Sequence, residues 1–470
     1  MPDGLKEKRA MSGILKINAG QKVAITGLGI SGKSAVKYCL KKGAEVFVSD
    51  IREPQKFLLE EGDFLQENRV EWEAGGHSFD FLSRAEIIIP SPGVDLAVPL
   101  FEKLRTKGCV IAGELAFAGS VQRPVVAITG TNGKTTVTTL TGQLLQEAGK
   151  KVFVGGNIGI SLFDYLLEPE EYDILVLEVS SFQLESGGDF APDVAVLLNV
   201  SPDHMDRHGS FENYLRAKMN IFIHQDKRDT AIVNGDCPDC MKIPATCGAN
   251  QVLFGRKAEH TIRISGKNII FPFHGEEEQY SLKNSSLGDE TGLYNCCPAI
   301  FAARITGSSP AQVQRGLDTF APLEHRMELV AEVDGIRFFN DSKATNTGAV
   351  IAALEQMGKK STVLILGGRD KGDDYRLLTV AVAEKVKAVV LIGEAAPLIR
   401  AALGAEVVST KAASMEDAVN KALEYAESGD VILLSPACAS FDMFESYGQR
   451  GRLFKKTVLT LAGISEQARI

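Results

Sequence analysis

Short apolar runs alternate with glycine-rich turns and amphipathic stretches along most of the chain. Short apolar runs bounded by turn residues are typical of buried strands, and apolar residues three or four apart are typical of helices. Helices are predicted over residues 34–41, 211–222 and 414–426. Strands are predicted over residues 22–26, 45–49, 86–90, 125–129, 151–154, 173–179, 194–200, 336–339, 362–366, 388–392 and 431–434.

The strand–turn–helix unit recurs in three groups, which begin near residues 22, 125 and 322. Repeated units of this kind place parallel strands in a sheet with crossover helices, so the predicted fold class is α/β with three domains. The stretch from 236 to about 290 is mixed in pattern, and we expect small β elements there. With joints near 120 and 322, the predicted domains cover residues 1–119, 120–322 and 323–470.

The composition of the 470 residues narrows the class of protein. Hydrophobic residues make up 44% and charged residues 24%, as in ordinary globular proteins. Acidic residues outnumber basic ones by 60 to 51, which disfavours a nucleic-acid partner. No apolar run approaches the roughly 18 residues that span a bilayer, and the N-terminus lacks the apolar part of an export signal. We therefore expect a cytoplasmic protein with reduced cysteines and no membrane span.

Two loops have the composition of phosphate-binding turns. The first, Gly27-Leu-Gly-Ile-Ser-Gly32, joins a predicted strand to a helix, and Asp50 ends the next strand. It is compatible with NAD binding or with a βαβ turn that holds no ligand. The second, Thr129-Gly-Thr-Asn-Gly-Lys-Thr-Thr136, is a shortened P-loop in which Lys134 suits the β- and γ-phosphates and Thr135 suits Mg²⁺. Two such loops predict two nucleotides, or ATP and a nucleotide-bearing substrate.

Cysteine spacing offers one further motif. Cys237 and Cys240 have the spacing of zinc ligands, with Cys247 close by, but no second CxxC or paired histidine follows. We therefore predict no zinc site there.

Five other segments accompany the P-loop: GGNIG at 155–159, EVSSFQL at 178–184, DHMDRH at 203–208, NDSKATN at 340–346 and LLSPACAS at 433–440. Together with the P-loop they resemble the Mur ligases, ATP-dependent amide-forming enzymes of peptidoglycan precursor synthesis. The last two segments are similar to the D-glutamate-adding members of that family. The resemblance implies an N-terminal Rossmann-like domain, a central P-loop ATPase-like parallel sheet and a C-terminal Rossmann-like domain.

The resemblance implies three substrates, ATP, UDP-N-acetylmuramoyl-L-alanine and D-glutamate, and we expect a monomer. Family contacts to ATP match Gly130, Thr131, Asn132, Gly133, Lys134, Thr135, Thr136, Asn295, Arg326 and Asp341. Contacts to the UDP substrate match Ile30, Ser31, Asp50, Arg52, Gly93, Asn157 and Gln183. Contacts to D-glutamate match Lys343, Thr345, Lys371, Ser440, Phe441 and Tyr447.

One departure from the family pattern affects the adenine contacts. Thr291-Gly292 stands where the family has His-Asn, although Asn295 is retained. Part of the contact to the base is therefore expected to be lost or remade.

The resemblance also implies metal ions, Mg²⁺ or Mn²⁺. The implied ligands are Thr135, Glu178, His204 and Lys218, the last as a lysine carbamylated by CO₂, since a carbamate supplies the oxygens that Mg²⁺ prefers. An ordinary solvent-facing lysine is the alternative for position 218. The implied reaction makes an acyl phosphate from ATP, with Lys134, Glu178, His204 and Lys218 as catalytic residues.

Two other functions remain open from the sequence. A folylpolyglutamate synthase would share the P-loop but would not need the first glycine-rich loop. An NAD-dependent oxidoreductase would use the first loop and leave the P-loop idle.

Overall fold

The computed structural model describes residues 15–169, 172–321 and 324–463. The chain divides into two compact units, Met1–Val200 with Leu215–Phe320, and Ser201–Tyr214 with Ala321–Ile470. The domain joint predicted near 322 and the N-terminus examined for an export signal lie outside the described residues.

The first sheet has five parallel strands in the order β3-β2-β1-β4-β5. The first glycine-rich loop follows β1 and leaves no room for a side chain at Gly32, because a Cβ there would lie 2.1 Å from the carbonyl oxygen of Gly27. The strands are β1 (Lys22–Thr26), β2 (Glu45–Asp50), β3 (Glu71–Ala74), β4 (Ile87–Pro90) and β5 (Val110–Ile111). The helices are α1 (Ile30–Lys41), α2 (Pro54–Asn68), α3 (Phe79–Leu82) and α4 (Pro99–Thr106), followed by a 3-10 helix at Glu114–Ser120.

The second sheet has nine strands in the order β14-β13-β12-β11-β10-β9-β6-β8-β7, parallel except for the pairs β12–β13 and β13–β14. The strands are β6 (Val125–Thr129), β7 (Val152–Gly156), β8 (Ile174–Glu178), β9 (Val194–Leu197), β10 (Thr230–Asn234), β11 (Asn250–Gly255), β12 (Ile262–Ser265), β13 (Asn268–Phe273) and β14 (Glu276–Ser281). Helices along this part of the sequence are α5 (Lys134–Glu147), α6 (Leu162–Leu167), α7 (Ser181–Glu185), α8 (Met205–His208), α9 (Phe211–Met219), α10 (Glu290–Ile305) and α11 (Pro310–Thr319).

The third sheet has six strands in the order β15-β16-β20-β17-β18-β19, and only β15 runs antiparallel to its neighbour. Apolar side chains cover both faces, which is why its central strands are continuous apolar runs. The strands are β15 (Glu328–Val333), β16 (Ile336–Asn340), β17 (Thr362–Gly367), β18 (Val386–Ile392), β19 (Ser409–Lys411) and β20 (Val431–Leu434). The helices are α12 (Thr347–Glu355), α13 (Thr379–Lys385), α14 (Ala396–Leu403), α15 (Met415–Tyr425) and α16 (Tyr447–Leu461), with a 3-10 helix at Tyr375–Leu378.

The predicted α/β class with three parallel-dominated sheets is confirmed, and every predicted strand is present within a few residues. The mixed stretch after residue 236 forms β11 to β14, as expected. The edge strands β3, β5, β15 and β19 were not predicted, because they are short or carry charged residues. The inner strand β10, which pairs with β9 and β11, was not predicted either. Among the described helices, none is both long enough and apolar enough to cross a lipid bilayer.

Candidate functional site

The shortened P-loop connects β6 to α5, and its lysine side chain bonds to the loop's own backbone. Gly130 and Gly133 have φ values of 154° and 87°, which side-chain-bearing residues rarely adopt. The Lys134 ammonium donates to the carbonyl oxygens of Gly130, at 2.9 Å, and of Thr131, at 2.8 Å. The lysine is thus held over the loop, at the N-terminal end of α5. The N-terminal end of a helix favours phosphate binding.

Asn199, which was not predicted, holds this loop from the end of β9. Its carbonyl oxygen accepts from the Thr131 amide at 2.9 Å. Its side-chain oxygen accepts from the Asn132 amide at 2.8 Å, and its side-chain nitrogen donates to the Asn132 carbonyl at 3.0 Å. No sequence signal marked this residue, because its role depends on β9 lying beside β6.

Glu178, at the end of β8, is a buried carboxylate with one oxygen left over. Asn157 donates to Oε1 from its side chain and to the Glu178 carbonyl from its backbone, both at 2.8 Å. Oε2 is buried without a hydrogen-bond partner. An unpartnered carboxylate oxygen is a suitable ligand for a hard cation, so Glu178 fits the metal role implied by the resemblance.

Lys218 is buried, with 1% of its surface exposed, and donates to the Gly130 carbonyl at 2.8 Å. The alternative of a solvent-facing helical lysine is therefore wrong. Because Lys134 donates to the same carbonyl, the structure brings both lysines to one point of the P-loop.

The altered segment before Asn295 forms the start of α10. Asp289 caps the helix by accepting from the Gly292 amide at 3.0 Å, and a Cβ on Gly292 would lie 2.3 Å from the Leu287 carbonyl oxygen. Asn295 is buried, and its side-chain oxygen would be 2.4 Å from a Cβ on Gly133. The retained asparagine thus packs against the P-loop itself.

In the first sheet, Asp50 and Arg52 form a fixed pair beside the first glycine-rich loop. Asp50 accepts from the Leu28 amide at 2.8 Å, and from Nε and Nη2 of Arg52 at 2.9 and 2.8 Å. Although burial acts to raise it, the hydrogen bonds from Arg52 and Leu28 hold the pKa of Asp50 below its ordinary value. Ile30 is exposed at the start of α1.

Gln183 contacts Glu114, a buried acid that was not predicted. The Gln183 side chain donates to one carboxylate oxygen, and Ser161 Oγ donates to the other at 2.7 Å. Burial raises the pKa of Glu114. Gln183 and Glu114 line a cavity together with Ser31 and Ser91. Two of the residues predicted to bind the UDP substrate, Ser31 and Gln183, therefore line one cavity.

In the second unit, Lys371 pairs with an acid. Its ammonium lies 2.6 Å from Asp203 Oδ1, and the Asn346 side chain donates to Asp203 Oδ2 at 3.1 Å. The neighbouring His204 has φ of 58° and precedes α8. A left-handed backbone is uncommon for residues other than glycine, although histidine adopts it more often than most.

Asp341 follows β16 and is buried. It accepts from Ser435 Oγ at 2.9 Å and from the Met327 amide at 3.3 Å. Burial raises the pKa of Asp341 to about 7, although Ser435 and the charge of Arg326 oppose this. Arg326 lies between His325 and Met327, whose φ values are 63° and 43°.

The other residues predicted for D-glutamate occupy two loops of the second unit. The Lys343 ammonium lies 4.1 Å from the centre of the Tyr447 ring. Ser440 is buried, whereas 65% of the Phe441 surface is exposed. Arg450, which was not predicted, is buried and donates to backbone oxygens of Ser342 and Cys438. These contacts join the two loops.

In the described part of the chain, no three His, Cys, Asp or Glu side chains are grouped so that they could hold a metal ion. Cys237, Cys240 and Cys247 are free cysteines.

Comparison with known proteins places the chain among relatives over nearly its full length. Residues 21–113 match the Mur ligase MurD-like N-terminal domain, 128–303 the Mur ligase middle domain, and 325–438 the Mur ligase glutamate ligase domain. The UDP-N-acetylmuramoylalanine--D-glutamate ligase of Desulfotalea psychrophila is 50% identical, covering 96% of this chain and 98% of that one. The ligase of the same name from Acidobacterium capsulatum is 41% identical, covering 94% and 97%.

The fold is shared with solved structures of low identity. A pseudomurein peptide ligase type C from Methanothermus fervidus has a TM-score of 0.59 at 20% identity, covering 94% of this chain and 100% of that one. The chain belongs to the Mur ligase family, the ATP-dependent ligases of peptidoglycan precursor synthesis. The family predicted from the motifs is confirmed.

Proposed function

We propose that this protein is an ATP-dependent ligase that joins D-glutamate to UDP-N-acetylmuramoyl-L-alanine and releases ADP and phosphate. The observation that carries the proposal is 50% identity, over 96% of the chain, to a relative whose name states this activity. Glu178 is buried, and Lys134 and Lys218 both donate to the Gly130 carbonyl of the P-loop. Both features are compatible with phosphoryl transfer from ATP.

The proposed chemistry follows from the poor reactivity of a carboxylate. The alanine carboxylate attacks the γ-phosphorus of ATP, ADP leaves, and an acyl phosphate forms. The amine of D-glutamate then attacks the acyl carbon, and phosphate leaves as the amide forms. Lys134 neutralises charge on the transferring phosphoryl group, and the amides of the P-loop orient it.

We assign the divalent metal, Mg²⁺ or Mn²⁺, to Thr135 and Glu178, with a second ion at His204 and a carbamylated Lys218. When bound, such an ion neutralises phosphate charge. The unpartnered Oε2 of Glu178 supports the first assignment. The burial of Lys218 supports the second, because burial favours the neutral amine that reacts with CO₂.

We keep the predicted division of the chain into three domains. Residues 1–119 are assigned to the UDP substrate, residues 120–322 to ATP and residues 323–470 to D-glutamate. The Asp50–Arg52 pair supports the first, since it holds Arg52 in place beside the glycine-rich loop. Lys343 and Lys371 are proposed for the two carboxylates of D-glutamate. We propose a monomer that acts in the cytoplasm, where ATP and UDP-linked precursors are found.

The proposal is tested by phosphate release from purified protein with each substrate pair. Release should require ATP, a divalent metal and UDP-N-acetylmuramoyl-L-alanine, and steady turnover should also require D-glutamate. Equal turnover with L-glutamate or meso-diaminopimelate would contradict the assignment. Turnover with folate substrates, or a saturable change in nicotinamide fluorescence when NADH is titrated with the protein, would instead support one of the two alternatives.

A further inference from the structure

Cys237 and Cys240 lie at either end of a single turn that follows β10. The Cys237 amide donates to the Asn234 carbonyl, and the Met241 amide donates to the Cys237 carbonyl, both at 3.3 Å. Residues three apart in a turn have Cα atoms less than about 7 Å apart, and disulfides join Cα atoms about 4.4–6.8 Å apart. The spacing expected for such a turn therefore overlaps the spacing that a disulfide requires.

The two thiols have different surroundings. Cys237 is partly exposed, whereas Cys240 has no exposed surface. The Cys240 thiol is hydrogen-bonded to the Cys237 sulfur, which also accepts from the backbone amides of Val200, Cys240 and Asp239. The hydrogen bond from Cys240, aided by these amides and opposed by burial, lowers the pKa of Cys237 to about 6. The same hydrogen bond, together with burial, raises the pKa of Cys240.

The turn is held by groups beside the P-loop. The Asn234 side chain donates to the Leu198 carbonyl at 2.9 Å and accepts from the Asp236 amide at 3.0 Å. Leu198 precedes Asn199, which contacts the P-loop, and Val200 follows it. A fixed turn keeps the two sulfur atoms together, so they meet without a rearrangement of the chain.

We infer that Cys237 and Cys240 form a thiol modification site, in which a hydroperoxide converts the pair to an intramolecular disulfide. The Cys237 thiolate attacks a peroxide oxygen, the O–O bond breaks, and the released hydroxide takes a proton to become water. Cys237 is then a sulfenic acid. Cys240 attacks that sulfur, the S–O bond breaks, and the Cys240 proton leaves with the hydroxyl group as a second water. In sum, two thiols are oxidised by two electrons, and hydrogen peroxide is reduced to two waters.

The other cysteines provide the contrast that makes the site selective. Thiolates are the reactive form, and burial suppresses them. Burial raises the pKa of Cys39, Cys109, Cys296, Cys297 and Cys438. Cys247 is partly exposed but is not part of a CxxC turn, so it serves as the matched control.

The test uses the full-length folded protein, treated with an equimolar amount of hydrogen peroxide and then digested for mass spectrometry. The peptide containing residues 237–240 should lose two hydrogen atoms, and dithiothreitol should restore them. Cys240→Ser should stop the reaction at a sulfenic acid on Cys237, which dimedone captures. Cys237→Ser should abolish the disulfide, and Cys247→Ser should leave it unchanged.

The measurement on the unmodified protein can by itself overturn the inference, so the test does not depend on whether a variant folds. A pair that stays reduced while Cys247 or a buried cysteine is oxidised would overturn it. Dimedone captured on Cys240 but not on Cys237 would do the same. The measurement reports sulfur chemistry only, so its result is independent of the proposed ligase activity.

Discussion

Arg450 donates two hydrogen bonds to Ser342, from Nε to Oγ at 2.9 Å and from Nη2 to the carbonyl oxygen at 2.8 Å. A third, from Nη1, reaches the Cys438 carbonyl at 3.1 Å. Arg450 is completely buried, and burial lowers its pKa to about 10. One guanidinium thus holds together the 340–346 and 433–440 segments, which carry three of the residues assigned to D-glutamate, Lys343, Thr345 and Ser440.

Arg450→Lys should loosen both segments, because a compact ammonium cannot reach all the acceptors that the three nitrogen atoms of the planar guanidinium reach. We expect a loss of about 2–4 kcal/mol in the free energy of unfolding. We also expect the KM for D-glutamate to rise about tenfold while the KM for ATP changes little. Thermal denaturation and steady-state kinetics measure these effects, with exposed Arg452→Lys on the same helix as the control. Equal changes in both KM values would argue against a local role.

Asp341 should make stability depend on pH. Its folded-state pKa, about 7, lies above the ordinary value of 3.8, so the folded protein binds the proton more tightly than the unfolded chain. Its contribution is therefore fully present below about pH 4 and is lost as pH rises towards about 7. Asp341→Asn should remove this loss. Its free energy of unfolding, relative to that of the unmodified protein, should therefore rise by a few kcal/mol as the pH increases from about 5 to 7.5.

Urea unfolding at both pH values measures the Asp341 difference, and exposed Asp334→Asn is the control. Asp373, whose pKa burial raises to about 6, remains in both proteins, so its contribution cancels. A difference that does not change with pH would show that Asp341 is already ionised in the folded protein.

Lys134→Ala should reduce turnover on the order of a hundredfold or more, because it removes a cation placed over the phosphate loop. Affinity for UDP-N-acetylmuramoyl-L-alanine, measured by calorimetry, should be unchanged, since most of the residues assigned to that substrate lie in the first domain. Exposed Lys151→Ala should behave like the unmodified protein. Parallel loss of UDP-substrate affinity would mean that the two sites are not separate.

Lys218→Ala should lose on the order of a hundredfold in activity if the residue is carbamylated, because the carbamate oxygens then hold a metal. Acetate or formate should restore part of this activity, and chloride at equal ionic strength should not. A ¹³C NMR carbamate signal from ¹³C-bicarbonate should be present in unmodified protein and absent in the variant. Exposed Lys227→Ala is the control, and rescue by chloride would refute the carbamate.

The sequence determined the local features of this protein. Glycine positions defined both phosphate-type loops, and uninterrupted apolar runs marked the central strands, because these signals depend only on neighbouring residues. The short motifs were sufficient to predict the family and to list most of the candidate site. Most of the unpredicted strands are edge strands such as β3, with sequence Glu-Trp-Glu-Ala, which are weakly patterned because they are partly exposed. The exception is β10, a buried inner strand whose short apolar run was missed.

Only the tertiary structure decided which distant side chains meet. The helical pattern without the family resemblance favoured a surface lysine at 218, whereas packing places Lys218 against Gly130, 88 residues away. Arg450 had no motif, yet its partner Ser342 lies 108 residues earlier. Burial and long-range hydrogen bonds arise from how the sheets and helices pack, and no local pattern encodes which polar atom will be left to bond with which. The tertiary structure likewise decided that Glu178 Oε2 is buried without a hydrogen-bond partner.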